Sequence, residues 1–286
     1  MNIYHNGKRK VSEVGKITIS GFSDEIDNSL KIQMDELEKL GIFHIEMRNV
    51  NEKHLVRHSL EEVRDIKKEL DIRGFKISSV GSPIGKSRIV DNFEPELELF
   101  KHTVEIAKIL NTEYIRVFSF YIPEGEKPED YRDEVIARFN KFVEVLKGTD
   151  ITMLHENEVG IYGDTPERCF DLFKTVNSKH LKGLIDLGNF VKCGVNNNLK
   201  AYELLKDEII YVHVKDASPE EEHFLPIGKG TGMAKEIFTE LYKDSRDYFF
   251  SIEPHLKYLP VSGPEQFKIA ADALKDLLYE VTGIRY

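Results

Sequence analysis

The chain has 286 residues, 41% of them apolar and 31% charged, with a formal net charge of −10. Such a chain can bury a sizeable core, as two domains or as one α/β barrel of the usual ~250 residues. The acidic balance argues against a nucleic-acid partner, the polar Met1–Lys16 segment against a signal peptide, and the lack of a run of about 18 apolar residues against a membrane span, so a soluble cytoplasmic protein is expected.

Strand-like and helix-like segments alternate along the chain. Ile17–Gly21 is a β-branched run, and the next segment, about Ser29–Leu40, places Leu30, Met34, Leu37 and Leu40 on one helical face before Gly41 stops it. Phe43–Met47 predicts the second strand and Leu60–Arg73 the second helix, ended by Gly74. Lys76–Val80 and Glu96–Leu110 follow, with Pro95 in the helix's first turn, then Tyr114–Phe118 and about Tyr131–Leu146. Four further strands lie near residues 152–156, 183–186, 211–215 and 249–253. Helices near Thr165–Val176, Leu199–Leu205, Met233–Tyr242 and Gly263–Val281 separate and follow them. Cys169 falls on one of these helices and Cys193 in a loop, a placement that offers neither a disulfide framework nor a thiolate zinc site.

Eight sequential strand–helix units without a linker predict a single-domain α/β fold over residues 1–286, a (β/α)8 TIM barrel with residues 1–16 as an N-terminal extension. An open doubly wound sheet would carry G-x-G-x-x-G after its first strand. Here Gly21 is followed by Phe22-Ser-Asp-Glu-Ile26.

The last four strands each end in a metal-ligand residue: Glu156 after Thr152-Met-Leu-His, Asp186 after Gly183-Leu-Ile, His213 after Tyr211-Val, and Glu253 after Phe249-Phe-Ser-Ile. A barrel brings its strand C-termini to one face, so these four are expected to meet there. Three carboxylates and one imidazole suit one divalent ion, Mn²⁺, Mg²⁺, Co²⁺ or Zn²⁺. Taken singly, each is as well explained as a helix cap or a surface ion pair.

The ordered segments His155-Glu-Asn-Glu158, Ile185-Asp-Leu-Gly-Asn-Phe190, Val212-His-Val-Lys-Asp216, Pro226-Ile-Gly-Lys-Gly230 and Ile252-Glu-Pro254 resemble the xylose-isomerase-like superfamily of sugar phosphate isomerases and epimerases. The resemblance implies that Glu156, Asp186, His213 and Glu253 are the metal ligands, and that Glu156 and Glu253 also exchange a substrate proton. It implies an isomerase or epimerase of a small sugar, sugar phosphate or polyol, working through a metal-stabilised enediolate. A keto-polyol dehydratase, a non-catalytic sugar-binding barrel and, less favoured, an abasic-site nuclease resembling endonuclease IV are the alternatives. Family members commonly form dimers or tetramers. Many also carry a His where this chain has Asn189, which can bind a substrate hydroxyl but cannot act as an acid or base near neutral pH.

Further candidates surround these positions. Lys215 shares a strand face with His213 and is expected to bind substrate. Lys86, in Ser82-Pro-Ile-Gly-Lys86, offers a cation for a phosphate or carboxylate. Arg116 is expected to bind an anionic substrate, Glu46 to bind sugar hydroxyls, and His255 to face the site. Buried ion pairing explains Arg116 and Glu46 equally well. The alternating glycines of residues 226–232 are read as a loop closing near the metal site.

Overall fold

The computed structural model describes residues 15–286. Its eight parallel strands are β1 Ile17–Gly21, β2 His44–Met47, β3 Lys76–Val80, β4 Tyr114–Val117, β5 Thr152–Glu156, β6 Leu181–Asp186, β7 Ile209–Val214 and β8 Tyr248–Ile252. Sequence neighbours pair from β2 to β8, and β8 returns to β1 in the register Ile17↔Tyr248 through Gly21↔Ile252. Among the described residues every adjacent pair but β1 and β2 is joined by a hydrogen-bonded ladder, so the sheet forms a nearly closed (β/α)8 barrel. Of the expected 1–16 extension, residues 1–14 lie outside the described residues. Lys16 leads into β1, and its N–H donates to Asp247 Oδ1 at 2.8 Å.

The outer layer consists of α1 Leu30–Lys39, α2 Leu60–Ile72, α3 Glu94–Leu110, α4 Arg132–Leu146, α5 Pro166–Val176, α6 Leu187–Lys192, α7 Asn198–Leu205, α8 Ala234–Lys243 and α9 Gly263–Thr282. Local chemistry sets their ends. Ser59 and Glu62 form a reciprocal capping box at α2, and Thr165 caps α5 with Pro166 in its first turn. At Gly21 the close approach of α9 requires glycine, since an added Cβ would lie 2.6 Å from the Phe267 ring. Among the described residues no helix is long and apolar enough to cross a membrane.

Two features escaped the sequence pattern. The short helix α6 follows β6 directly, and antiparallel pairs Asn49–Val50/Lys53–His54 and Asp216–Ala217/Phe224–Leu225 extend the loops after β2 and β7. Within the barrel, the period of two decides what faces inward. Leu154, Leu184 and Tyr211 pack together with Tyr114 and Phe249. Two residues further along their strands come Glu156, Asp186, His213, Arg116 and Ser251, which are also buried. An apolar floor is thereby overlaid by a polar layer near the C-terminal mouth.

Candidate metal centre

Donor atoms of Glu156, Asp186, His213 and Glu253 all lie within 4.8 Å of one another, and all four residues are buried. The barrel register explains the convergence: His213 on β7 is level with Asp186 on β6 and Ser251 on β8. Glu253 lies one residue past β8, where its N–H donates to Val214 O at 3.3 Å.

The imidazole is the key to the cluster's chemistry. His213 Nε2 lies 3.0 Å from Glu46 Oε2. A carboxylate only accepts, so this contact places the ring proton on Nε2 and a lone pair on Nδ1. Nδ1 faces Glu156 Oε1 at 3.1 Å, Glu253 Oε2 at 3.5 Å and Asp186 Oδ2 at 3.7 Å. A lone pair aimed at three carboxylates is repulsive unless a cation lies between them. His213 Nδ1 is buried without a hydrogen-bond partner, and Asp186 Oδ2 and Glu156 Oε2 make no aligned hydrogen bond, only ion-pair contacts with Lys215 and Arg116, which leaves lone pairs that a coordinated ion would satisfy. The donor set therefore fits a divalent ion.

The surrounding charges reinforce this. Lys215 Nζ is fully enclosed, 2.9 Å from Asp186 Oδ2 and in contact with Glu253 Oε2. Burial opposes its charge, but Asp186 and Glu253 outweigh burial and hold its pKa above the usual lysine range. Burial likewise opposes charge on His213, yet Glu156 and Glu46 raise its pKa to about 10. Without an ion, the ring therefore carries a second proton in the space between the carboxylates. Burial pushes Asp186 up to about 6 although Lys215 opposes it. For Glu156 burial is overcome by His213 and Arg116, which bring it to about 2. Glu253 is held well below the carboxylate range, because Lys215 and His255 outweigh its burial.

The other expected residues fall into two groups. Asn189 sits in the first turn of α6, which Asp186 caps: its N–H donates to Asp186 Oδ1 at 2.8 Å, and its side-chain amide donates to Glu156 Oε1 at 3.2 Å. His255, in a left-handed conformation (φ 47°), places Nε2 3.2 Å from Glu253 Oε1. Both border the centre, as does Lys215. Arg116 is buried, 3.3 Å from Glu156 Oε2, with its remaining donors on the carbonyls of Gly81 and Ser82. Glu46 is wholly buried beneath His213. Lys86 reaches Glu158 at 3.1 Å across the rim.

Sequence reasoning passed over Arg48, whose guanidinium reaches Asp24 at 2.8 Å, and Glu25 and Glu253 at 3.3 Å each. Its partner Glu253 lies so far along the chain that no local pattern marks it. Phe22 was also missed. Its ring lies edge-on to His213 at 5.1 Å, with Arg48 and Arg116 4.7 and 5.0 Å from its centre. Asn157 exchanges two 2.9 Å hydrogen bonds with the Asp186 backbone, fixing that strand end. The signal for Asn157 was its position, directly after Glu156.

A barrel of eight parallel strands with a carboxylate–imidazole cluster suited to a divalent ion at its C-terminal mouth defines the class. The chain belongs to the xylose isomerase-like TIM barrel family, whose profile matches residues 34–277. An uncharacterized protein of Methanocaldococcus jannaschii, MJ1311, is 28% identical over 165 residues; the match spans 55% of this chain and 56% of that protein. The zinc-bound IolI protein superposes with a TM-score of 0.76 at 15% identity, over 94% of this chain and all of that one. A D-tagatose 3-epimerase-like protein gives 0.74 at 21% identity, covering 93% of this chain and 98% of that one. The probable 3-DHS dehydratase AsbF of Bacillus anthracis gives 0.73 at 18% identity, covering 91% and 98%.

Proposed function

We propose that this chain is a divalent-metal-dependent isomerase or epimerase of a small sugar, sugar phosphate or polyol. The observation that carries this reading is the single buried point shared by Glu156, Asp186, His213 and Glu253. The fold held in common with a zinc-bound barrel and an epimerase-like protein is in keeping with it.

These four residues would hold Mn²⁺, Mg²⁺, Co²⁺ or Zn²⁺. A divalent ion there would supply positive charge against the anion that develops when a carbon beside a carbonyl loses its proton. Glu156 and Glu253 enter from β5 and β8, on different sides of the mouth. One would remove the proton from the substrate carbon and the other would return it. Lys215 and Arg116 favour the ionised form of both side chains, so either would serve as the base, and its counterpart would first take up a proton from solvent or a substrate hydroxyl before returning one. Lys215, Asn189 and His255 would meet substrate hydroxyls. Glu46 and Arg116 would act through the ligands they hold, and Lys86 at the rim.

Incubating the metal-loaded protein with ketoses in deuterated water tests the reading. Carbon-bound deuterium without loss of water is expected, with exchange abolished in Glu156→Gln. Full ion occupancy in both Glu156→Gln and Asp186→Asn would overturn the centre itself. His255 favours a second reading: its imidazole, half-buried beside Glu253, could protonate a departing hydroxyl, which would make the reaction a dehydration. Loss of water from the substrate in the same experiment would select it.

A further inference from the structure

The substrate of this centre can be narrowed by where negative charge is already provided for; the inference rests on the metal-centred reading above. We propose that the site takes an uncharged polyhydroxy carbonyl compound and not its phosphate ester. TIM barrels frequently bind phosphate in the loops after strands seven and eight, where backbone N–H groups converge. Here that cradle exists in residues 226–232, but the chain fills it itself. Gly228 and Gly230 N–H donate to Asp216 Oδ2 at 3.0 and 3.1 Å, and Gly232 N–H donates to Asp216 Oδ1 at 2.9 Å. A Cβ on Gly230 or Gly232 would lie 2.5 or 2.6 Å from that Oδ1, so the glycines are shaped around this carboxylate.

The other candidate anion loop, after β3, is closed in the same way. Gly85 N–H donates to Glu96 Oε1 at 2.6 Å, and Ser87 Oγ donates to the same carboxylate. The cations near the centre are engaged too: Lys215 with Asp186 and Glu253, Arg116 with Glu156, Arg48 with Asp24, Glu25 and Glu253, and Lys86 with Glu158. In those two loops a phosphate would meet occupied N–H groups, and the buried cations Lys215 and Arg116 would reach it only by leaving their carboxylates.

What does open, on the far side of Arg48 and His255 from Glu253, is a cleft of about 590 Å³, within the range for small-molecule sites. Asn28, Asn49 and Glu222 offer it amide and carboxylate groups for hydroxyls. Phe224 offers an apolar face, 4.7 Å from Lys215 Nζ and 5.4 Å from the His255 ring. Mixed donors and acceptors around one aromatic wall suit a neutral polyol. Lys257 is the cleft's one cation without a carboxylate partner among the described residues, and it is exposed, where a point charge is weak.

Two independent measurements decide this. Binding of fructose and of fructose 6-phosphate to the Mn²⁺-loaded protein is compared by saturation-transfer NMR competition. The neutral sugar is expected to bind at least about tenfold more tightly, a preference near 1.4 kcal/mol; tighter binding of the phosphate overturns the proposal. Thermal melting of the metal-free protein in millimolar inorganic phosphate is the second. Asp216→Gly empties the cradle, so phosphate should raise its melting temperature by several degrees and leave the wild type unchanged. A comparable rise in the wild type overturns the proposal even if neither sugar binds. Ion content is measured on the loaded samples: a wild type that retains no divalent ion removes the metal-centred reading instead, while the phosphate arm still stands.

Discussion

Replacing Lys215 with methionine should make the protein bind a divalent ion more tightly, although it removes a residue at the heart of the site. The ammonium lies 2.9 Å from Asp186 Oδ2 and touches Glu253 Oε2, two of the oxygens the ion would use. An ion on those oxygens would be roughly 4 Å from Nζ, where unit charges interact by about 4 kcal/mol at an effective dielectric constant of ~20, and a divalent ion by twice that. Lys215 can relieve much of this by leaning toward the Phe224 ring 4.7 Å away. If about a third of the repulsion remains, Lys215→Met gains roughly 3 kcal/mol, on the order of 100-fold in affinity. The metal-free protein should respond in the opposite sense, since removing one partner of a buried pair costs ~3–5 kcal/mol. Competition of metal-free protein against a fluorescent chelator reads the first effect, and melting with and without ion reads the second. A variant that binds the ion no more tightly than wild type, or loses equal stability in both states, would refute the reasoning.

Glu46→Leu should weaken ion binding about 10- to 100-fold, because it frees the His213 ring and strands its Nε2 proton. Glu46→Gln keeps an acceptor and should recover part of the loss; equal chelator competition by all three proteins would count against an orienting role. His155 points away from the centre, fully buried beside Ser119, and burial depresses its pKa to about 3 from an ordinary 6.5. The unfolded chain therefore takes the proton first as pH falls. Stability should be intact above pH 6.5 and decline by about 1.4 kcal/mol per pH unit on the way to pH 3 from this group. Urea titrations of His155→Gln should show a shallower slope over that window, and an unchanged slope would assign the acid sensitivity elsewhere. Gly21→Ala should cost about 1–3 kcal/mol by driving a methyl into the Phe267 ring, 2.6 Å away; an unchanged melting temperature would show that α9 yields at no cost.

The ligand positions were legible because a strand's period of two turns position into direction. In Tyr211-Val-His213 and Leu184-Ile-Asp186 the inward apolar residue announces the inward polar one. The same rule sends His155 outward, against Phe139 and Phe173. What strands do not encode is which long side chain reaches across the mouth. Arg48 lies past the end of β2, and its contact with Glu253 depends on the loop path after β1 that brings Asp24 and Glu25 beside it. Lys86 was expected to stand open for an anion, but its loop is pinned by Glu96 from α3, a contact between segments with no shared periodicity. The role of Asp216 had no local signal, since Glu220, Glu221 and Glu222 all lie nearer in sequence to the glycines it binds. Residues 226–232 were legible as a loop but not as a filled anion cradle.

The charge balance of the mouth links the ion to the substrate. Glu46, Glu156, Asp186, Glu253, Asp24 and Glu25 surround the centre, against the fixed cations Lys215, Arg48 and Arg116. Uncompensated charge of that density inside a barrel costs several kcal/mol per group, so the site must draw in positive charge from solution. A proton on His213 Nδ1 supplies one unit and occupies the lone pair. A divalent ion would supply two and use that lone pair as a bond, so its binding would release the proton and tighten as pH rises. Even then the carboxylates outnumber the positive charges. A substrate arriving with a charged phosphate would bind against that field, whereas a neutral one meets no such opposition. Its own negative charge would appear only as the proton leaves, beside the ion, where the field is most favourable.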